Sequence, residues 1–72
     1  MTLSQLVKGS TIQGNVWLTL WDNDGSDVIR EEMICGTEDL KHAPELDGWR
    51  SRKIKYIFAN DEWLHIEFEQ GD

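Results

Sequence analysis

The clearest hydrophobic pattern lies near the C-terminus, in the segment RKIKYIFANDEWLHIEFE at residues 52–69. Apolar residues occupy every second position on both sides of Asn60, which is the period of a β-strand with one buried face. The pattern therefore predicts a β-hairpin. The inner-face pairs expected across it are Phe58–Leu64, Tyr56–Ile66 and Ile54–Phe68.

The loop of this hairpin is expected to contain three residues, 60–62. That length sets Ala59 opposite Trp63 and places Lys55 opposite Glu67 on the outer face, where opposite charges stabilise a strand pair. A two-residue loop would shift the register by one position and turn Lys55 towards the buried face. We therefore expect an odd loop, a type I turn with a bulge.

The N-terminal segment has the pattern of a short helix. Thr2 and Gln5 form a T-x-x-Q capping box, and Leu3, Leu6 and Val7 follow at helical spacing. The first glycine of the chain is expected to end this helix after about two turns. A helix of that length is not stable alone, so it is expected to pack on the sheet.

A second hairpin is predicted between the helix and the centre of the chain. Its first strand alternates Val16, Leu18 and Leu20 with Trp17, Thr19 and Trp21, so that one face is aliphatic and the other mostly aromatic. The turn signal DNDGS follows, and a loop of residues 23–26 would set Leu20 opposite Ile29 and Val16 opposite Met33. The returning strand, residues 27–35, is rich in charge and is expected at the edge of the sheet.

Residues 36–48 have no strong period. Thr37 is a candidate cap for a helical turn through Leu40, and Pro44 limits any helix before it. The fold class predicted for the whole chain is α+β. A short N-terminal helix packs on a four-stranded, mainly antiparallel sheet made of two hairpins, in a single domain of residues 1–72.

Charge and composition narrow the classes of partner. The chain carries 14 acidic and 7 basic side chains, a balance that opposes direct binding to nucleic acid or to an anionic membrane. No apolar run reaches the length of a membrane span and no signal-peptide pattern is present. The single cysteine, Cys35, excludes an internal disulfide. A cytoplasmic location is expected.

The acidic side chains are concentrated in one block. Residues 22–47 contain nine acidic and two basic residues, so this block has the same net charge as the whole chain. The acidic members are Asp22, Asp24, Asp27, Glu31, Glu32, Glu38, Asp39, Glu45 and Asp47. The block is either a solvated face that maintains solubility or, in its first part, an array that binds an Arg- and Lys-rich surface. The residues of that array would be Asp22, Asp24, Asp27, Glu31 and Glu32.

Metal-binding and catalytic patterns are weak. The turn D-x-D-x-S-D departs from the EF-hand template, because Asp27 stands where glycine is needed and Met33 where the bidentate glutamate is needed. Cys35, His42 and His65 lack the spacing of a zinc site. Nucleophilic catalysis by Cys35 with a histidine is a minor alternative to a small core cysteine. We expect neither an enzyme nor a cofactor.

Four tryptophans in 72 residues are the unusual feature of the composition. Alternation places Trp17 and Trp21 on the face of their strand that lies away from the aliphatic side chains. It likewise places Trp63 and Leu64 on different faces of the last strand. Either the helix and residues 37–48 cover these rings as core, or the rings stay wet and form an interaction surface. A homodimer would hide the same rings.

The order of these motifs resembles a family of small uncharacterised proteins encoded in phages and prophages of Gram-positive bacteria. The motifs that carry the resemblance are the opening TLSQLV, then GNVWLTLWDNDG, an LDG, and KIKYIFANDEWLHIEF. Such proteins begin with a T-L-x-x-L helix, continue through a V-x-[LV]-x-D-x-DG hairpin and end in a strand pair. The resemblance implies a mobile-element origin and inhibition of host nucleic-acid-handling or defence proteins.

Two functional hypotheses follow. The first is a non-enzymatic protein that binds a basic protein partner through an acidic and aromatic surface, in the host cytoplasm if the chain is phage encoded. The second is a self-associating structural or accessory protein. The candidate partner-binding residues are Trp17, Trp21, Asp22, Asp24, Asp27, Glu31, Glu32 and Trp63.

Overall fold

The computed structural model describes residues 1–22 and 25–69. Within these residues the chain forms one α-helix, two 3₁₀ helices and four β-strands. In chain order these are α1 (Leu3–Gly9), β1 (Gly14–Trp21), β2 (Val28–Thr37), the 3₁₀ helices Leu40–His42 and Pro44–Leu46, β3 (Ile54–Asn60) and β4 (Trp63–Phe68). The predicted α+β class is confirmed.

The four described strands form a single sheet in the order β2-β1-β4-β3. The pairs β1–β2 and β3–β4 are antiparallel hairpins, as predicted, and they are joined by a parallel contact between β1 and β4. The sheet is therefore mainly antiparallel with two parallel strands at its centre. The charged strand β2 lies at one edge, which confirms its predicted position.

The capping box at the start of α1 is formed as predicted. The backbone N–H of Thr2 donates to Gln5 Oε1 at 2.8 Å, and the backbone N–H of Gln5 donates to Thr2 Oγ1 at 3.2 Å. Leu3 and Val7 lie on one side of the helix and are buried in the hydrophobic core. This burial stabilises a helix that is too short to persist in isolation.

The hydrophobic core lies on one side of the sheet, which we call the inner face. It receives the aliphatic side chains of β1 and the apolar side chains of α1, of both 3₁₀ helices and of Trp49. Its buried members are Leu3, Val7, Val16, Leu18, Leu20, Ile34, Leu40, Ala43, Leu46, Trp49, Ile66 and Phe68. The opposite side of the sheet, the outer face, carries Trp17 and Trp63.

The register predicted for the C-terminal hairpin is wrong over most of its length. Asn60 pairs with Trp63, so the loop has two residues rather than three, and Asp61 adopts the positive φ of 56° that such a tight turn requires. A bulge between Ile54 and Tyr56 then restores the predicted Ile54–Phe68 pair. Tyr56 consequently lies on the outer face.

The same register shift moves two more side chains. Phe58 faces His65 on the outer face instead of Leu64 on the inner face, and Ile57 lies opposite Ile66. The predicted pairing of Lys55 with Glu67 is also wrong, because Tyr56 stands opposite Glu67.

The first hairpin also differs by one position from its prediction. Val16 lies opposite Ile34 rather than Met33, and Leu20 lies opposite Arg30 rather than Ile29. An irregularity between Leu20 and Trp21 inserts one extra residue into β2. Asn23 and Asp24, which belong to the predicted turn, lie outside the described residues.

The central segment is helical in two short turns. Asp39, not Thr37, caps the first 3₁₀ helix, and its side chain accepts the backbone N–H of Lys41. Pro44 begins the second 3₁₀ helix, so the predicted limit on helix length before it is confirmed. Cys35 is exposed and is not the small core residue that was favoured from the sequence.

Candidate protein-binding surface

The outer face of the sheet is not covered by any helix of the described residues. The buried side chains of α1 and of both 3₁₀ helices all belong to the inner-face core. On the outer side Met33, Tyr56 and Phe58 are 51%, 56% and 41% exposed. Large apolar side chains that are grouped on an open face are typical of an interaction surface.

The most prominent feature of this face is a row of side chains that crosses all four strands. Met33 lies opposite Trp17, Trp17 is beside His65, and His65 is opposite Phe58. We call these four residues the aromatic row. Each member comes from a different strand, so only the assembled sheet brings them together.

Ring contacts hold the aromatic row in place. His65 stacks between two rings, at centroid distances of 5.3 Å to Trp17 and 4.9 Å to Phe58. Trp63 contacts Trp17 edge to face at 5.5 Å. Such aromatic pairs contribute about 0.5–1.5 kcal/mol beyond their burial, so these contacts favour the observed arrangement of the rings.

A second row, which we call the acidic row, runs beside the aromatic row. It contains Glu31, Thr19, Glu67 and Tyr56 on neighbouring strands. Glu31 Oε2 accepts the indole N–H of Trp17 at 3.4 Å, so one carboxylate is fixed against an aromatic ring. The outer face therefore combines aromatic rings with two carboxylates.

A shallow cleft lies where β1 and β4 end. Its volume is about 470 Å³. Trp21 and Tyr56 supply aromatic walls, and Lys55 lies with its Nζ 5.4 Å from the centre of the Tyr56 ring. The remaining lining residues are Asp22, Gly25, Glu67, Phe68 and Glu69. This cleft extends the outer face towards the turn between β1 and β2.

The turn after β1 is organised by Asp22. Its carboxylate accepts the backbone N–H of Ser26 at 2.9 Å and the Ser26 hydroxyl at 3.2 Å. These bonds, first of all the one from the backbone N–H of Ser26, hold the pKa of Asp22 below its usual value of 3.8.

A titration of the Asp22 carboxyl by NMR is expected to give a midpoint below 3.8. Because the folded pKa is lowered, this carboxylate favours the folded state above the unfolded pKa, and its contribution is lost as the pH falls through the folded value. Ser26→Ala should retain most of the lowering, since the backbone N–H of Ser26 remains. A midpoint at or above 3.8 in the unmodified protein would contradict the assigned hydrogen bonds.

The structure separates the candidate residues into two groups. Trp17, Trp21, Trp63 and Glu31 share the outer face, by strand alternation and register. Glu32 lies opposite Leu18 on the inner side of β2 and is half-buried.

The remaining acidic candidates belong to the turn. Asp22 and Asp27 flank it, and their backbones are joined by a 2.9 Å hydrogen bond from Asp22 N–H to Asp27 C=O. Asp24 lies outside the described residues. The acidic block is therefore not one continuous array.

Sequence reasoning missed several members of the outer face. Met33, Tyr56 and Phe58 were assigned to inner-face pairs, and the errors in register explain all three. His65 was placed on the outer face by alternation, but its partners were not identified. Asp61 was the available signal, because aspartate tolerates the positive φ that the first residue of the two-residue turn 61–62 adopts.

The three residues considered for catalysis or zinc binding, Cys35, His42 and His65, do not lie together. Cys35, Asp39 and His42 line one open cleft of about 450 Å³, and His42 Nε2 is 3.8 Å from Asp39 Oδ2. His65 instead stacks within the aromatic row. Among residues 1–22 and 25–69, no three His, Cys, Asp or Glu side chains form a group that could hold a metal ion.

Comparison of the chain with protein-family models, with curated proteins and with solved structures finds no match. The resemblance to phage and prophage proteins therefore stays a prediction. In the part of the chain that the structure describes, no helix has the length and apolar character needed to cross a membrane.

Proposed function

We propose that this chain is a small, acidic, non-enzymatic protein that binds a protein partner with a basic surface through the outer face of its sheet. The observation that carries the proposal is the aromatic row, which is ordered by ring stacking and is open to solvent at Met33 and Phe58. Aromatic and methionine side chains are enriched at protein interfaces, and aromatic residues are common among the few that carry most of the binding energy.

The acidic row supports a partner that presents arginine and lysine. An arginine side chain can stack on an aromatic ring and pair with a carboxylate at the same time. Glu31 and Glu67 lie one row away from the rings of Trp17 and His65, within the same sheet face. The chain's net charge of −7 would also speed the approach of a basic partner.

The resemblance to phage and prophage proteins suggests what kind of protein the partner is. Host proteins that handle nucleic acid present basic surfaces to phosphate groups. By occupying such a surface, the acidic outer face would inhibit a nucleic-acid-handling or defence protein in the host cytoplasm. The chain itself would not bind nucleic acid, because its own charge repels the phosphates.

Charge also favours this proposal over a homodimer whose interface is the outer face with its tryptophans. Two copies packed face to face would bring together two surfaces that each carry the carboxylates of Glu31 and Glu67. Like charges that oppose each other across an interface destabilise it. The outer face is therefore better matched to a different, basic protein than to itself.

The test is capture from a host lysate at low and at high salt, followed by affinity measurements with the captured protein. In the double variant Glu31→Lys with Glu67→Lys, affinity should fall about tenfold or more, because each substitution turns an attraction into a repulsion. Phe58→Ser should weaken binding at both salt concentrations, since it removes an apolar contact that salt does not screen.

The matched control is Glu38→Lys with Glu45→Lys, which changes the net charge by the same amount at exposed positions away from the outer face. This control should bind nearly as well as the unmodified chain. Equal loss in both double variants would mean that only net charge matters. Unchanged affinity in the outer-face variants would refute the proposed surface.

A further inference from the structure

Strand β3 is an edge strand that is exposed on both of its faces. It is the last strand of the sheet order and pairs only with β4 among the described strands. Tyr56 and Phe58 are open on its outer face, and Ile57 is 43% exposed on its inner face. An apolar strand with an unpaired backbone edge is a template for the addition of another strand.

The two edges of the sheet differ in how they are protected. Strand β2 has register irregularities at both ends and carries Arg30, Glu31 and Glu32 in succession. Register irregularities and charged side chains both hinder the pairing of an edge strand with another chain. Strand β3 has one charged residue, Lys55, and four uncharged residues from Tyr56 to Ala59. Its edge is therefore the one suited to pairing.

The N-terminus defines where the free edge begins. The backbone N–H of Ile54 donates to the carbonyl of Met1 at 2.8 Å, and Thr2 forms an antiparallel bridge with Lys53. These bonds lie on the side of the strand that faces away from β4. The opposite side faces β4, and there the backbone N–H of Glu69 donates to the carbonyl of Lys53. No described residue pairs with this edge beyond Ile54, so the unpaired backbone runs through residues 55–60.

The charges that flank β3 show which occupant fits this edge. Basic side chains lie at the start of the strand, Arg52 and Lys53 before it and Lys55 as its second residue, and acidic side chains follow the strand at Asp61 and Glu62. A second β3 in antiparallel orientation would bring the basic end of each copy beside the acidic end of the other. Parallel pairing would instead set like charges together, so charge selects the antiparallel arrangement.

We propose that the chain forms a two-fold symmetric homodimer in which the β3 strands of two copies pair antiparallel and join their sheets edge to edge. The pairing is centred on Ile57, which lies beside Ile57 of the second copy. Tyr56 then lies beside Phe58 of the second copy on the outer face.

The paired segment covers residues 55–59 of each copy, because Met1 and Thr2 occupy the edge beside Lys53 and Ile54. Lys53 lies just beyond the basic end of this segment and Asp61 just beyond its acidic end, so the two-fold symmetry brings these opposite charges near each other at both ends of the interface.

This arrangement goes beyond the proposed binding of a basic partner and does not depend on it. The edge contact leaves the acidic carboxylates of both copies free, since Glu31 and Glu67 lie on other strands. It also extends the aromatic row of one copy into the next through Phe58. A two-fold interface is the commonest in soluble homo-oligomers, because each patch meets its own copy.

The experiment is sedimentation equilibrium of the full chain over a concentration series, at low and at high salt. With increasing protein concentration the average mass should rise from 8.4 kDa to twice that value. At high salt the same rise should occur only at higher protein concentrations, because salt screens the charges at the ends of the paired strands. Ile57→Lys should keep the chain monomeric, because it places a charge at the centre of the paired edge. The matched control is Ile29→Lys, at a similarly exposed isoleucine on the opposite edge strand.

A second pair of variants tests the charge pattern without touching the apolar strand. Lys53→Glu should weaken the dimer several-fold, because it places a negative charge at the end of the paired segment that lies near Asp61 of the second copy. Lys8→Glu makes the same charge change on exposed α1 and should leave the dimer intact.

Three results would overturn the proposal. The first is a monomer at every concentration. The second is that Ile57→Lys and Ile29→Lys dimerise equally. The third is that the double variant Glu31→Lys with Glu67→Lys loses the dimer while Ile57→Lys keeps it. The last result would assign self-association to the outer face. If no protein is captured from a lysate, the proposed function is contradicted but the edge dimer of the purified chain is not. The two proposals can therefore be refuted independently.

Discussion

Replacing Trp49 by alanine is expected to lower the free energy of unfolding by about 3–5 kcal/mol. Trp49 is fully buried, and its ring lies 5.0 Å from that of Phe68 at the centre of the core. The guanidinium of Arg30 lies over the Trp49 ring, 4.9 Å from its centre. A domain has about 5–15 kcal/mol of total stability, so this variant should be largely unfolded in mild denaturant.

Urea titration followed by circular dichroism measures this loss, at concentrations low enough to keep the chain monomeric. The matched control is Tyr56→Ala, which removes another aromatic ring at a position that is 56% exposed. That variant should lose no more than about 1 kcal/mol. Similar losses in the two variants would mean that Trp49 does not occupy the centre of the core.

Ile66→Ala is expected to destabilise the protein by about 2–5 kcal/mol. Ile66 is fully buried on β4 and lies beside Leu18 in the parallel pair at the middle of the sheet. The smaller side chain would leave a cavity lined by both central strands. Thermal unfolding followed by circular dichroism would show the loss as a lower midpoint.

The residue directly opposite provides the control for this prediction. Ile57 faces Ile66 across the β3–β4 pair but is 43% exposed. Ile57→Ala should therefore cost less than about 1 kcal/mol, although it removes the same atoms from the same side of the sheet. If the two variants were equally destabilised, β3 would have to be covered on its inner face, contrary to the structure.

These two pairs of variants follow from the uneven cover of the sheet. The helices cover β1 and β4 on the inner side and leave β3 exposed along almost its whole length. The buried side chains that stabilise the domain therefore come from the two central strands, from Ile34 of β2, from the helical segments and from Trp49, and none of the fully buried ones comes from β3. The outer face and the β3 edge contribute less to the fold and remain available for binding.

The sequence predicted the elements of the fold because their signals are local. The capping box at Thr2 and Gln5 is decided within four residues, and the alternation in β1 and β4 depends only on neighbouring positions. The core assignment of Val16, Leu18 and Leu20 follows directly from that alternation. The α+β class and the edge position of β2 then required no knowledge of distant contacts.

Register was not determined by alternation alone. In the C-terminal hairpin, both loop lengths leave a plausible apolar face, because β3 reads IKYIFA with apolar residues on both sides. The backbone of Asp61 selects the two-residue turn, and the bulge after Ile54 removes the charge clash that had argued against it. A bulge cannot be read from a strict period of two.

The candidate surface shows the same division between local and distant information. Alternation alone placed Trp17, Trp63 and His65 on the side away from the aliphatic residues of β1 and β4. The parallel contact of β1 with β4 joins strands more than 40 residues apart and depends on how the two hairpins share one core. That contact stacks His65 on Trp17, and the register of the β3–β4 hairpin stacks it on Phe58. The sequence therefore determined that Trp17, Trp63 and His65 face outward, and only the tertiary structure decided that the rings meet.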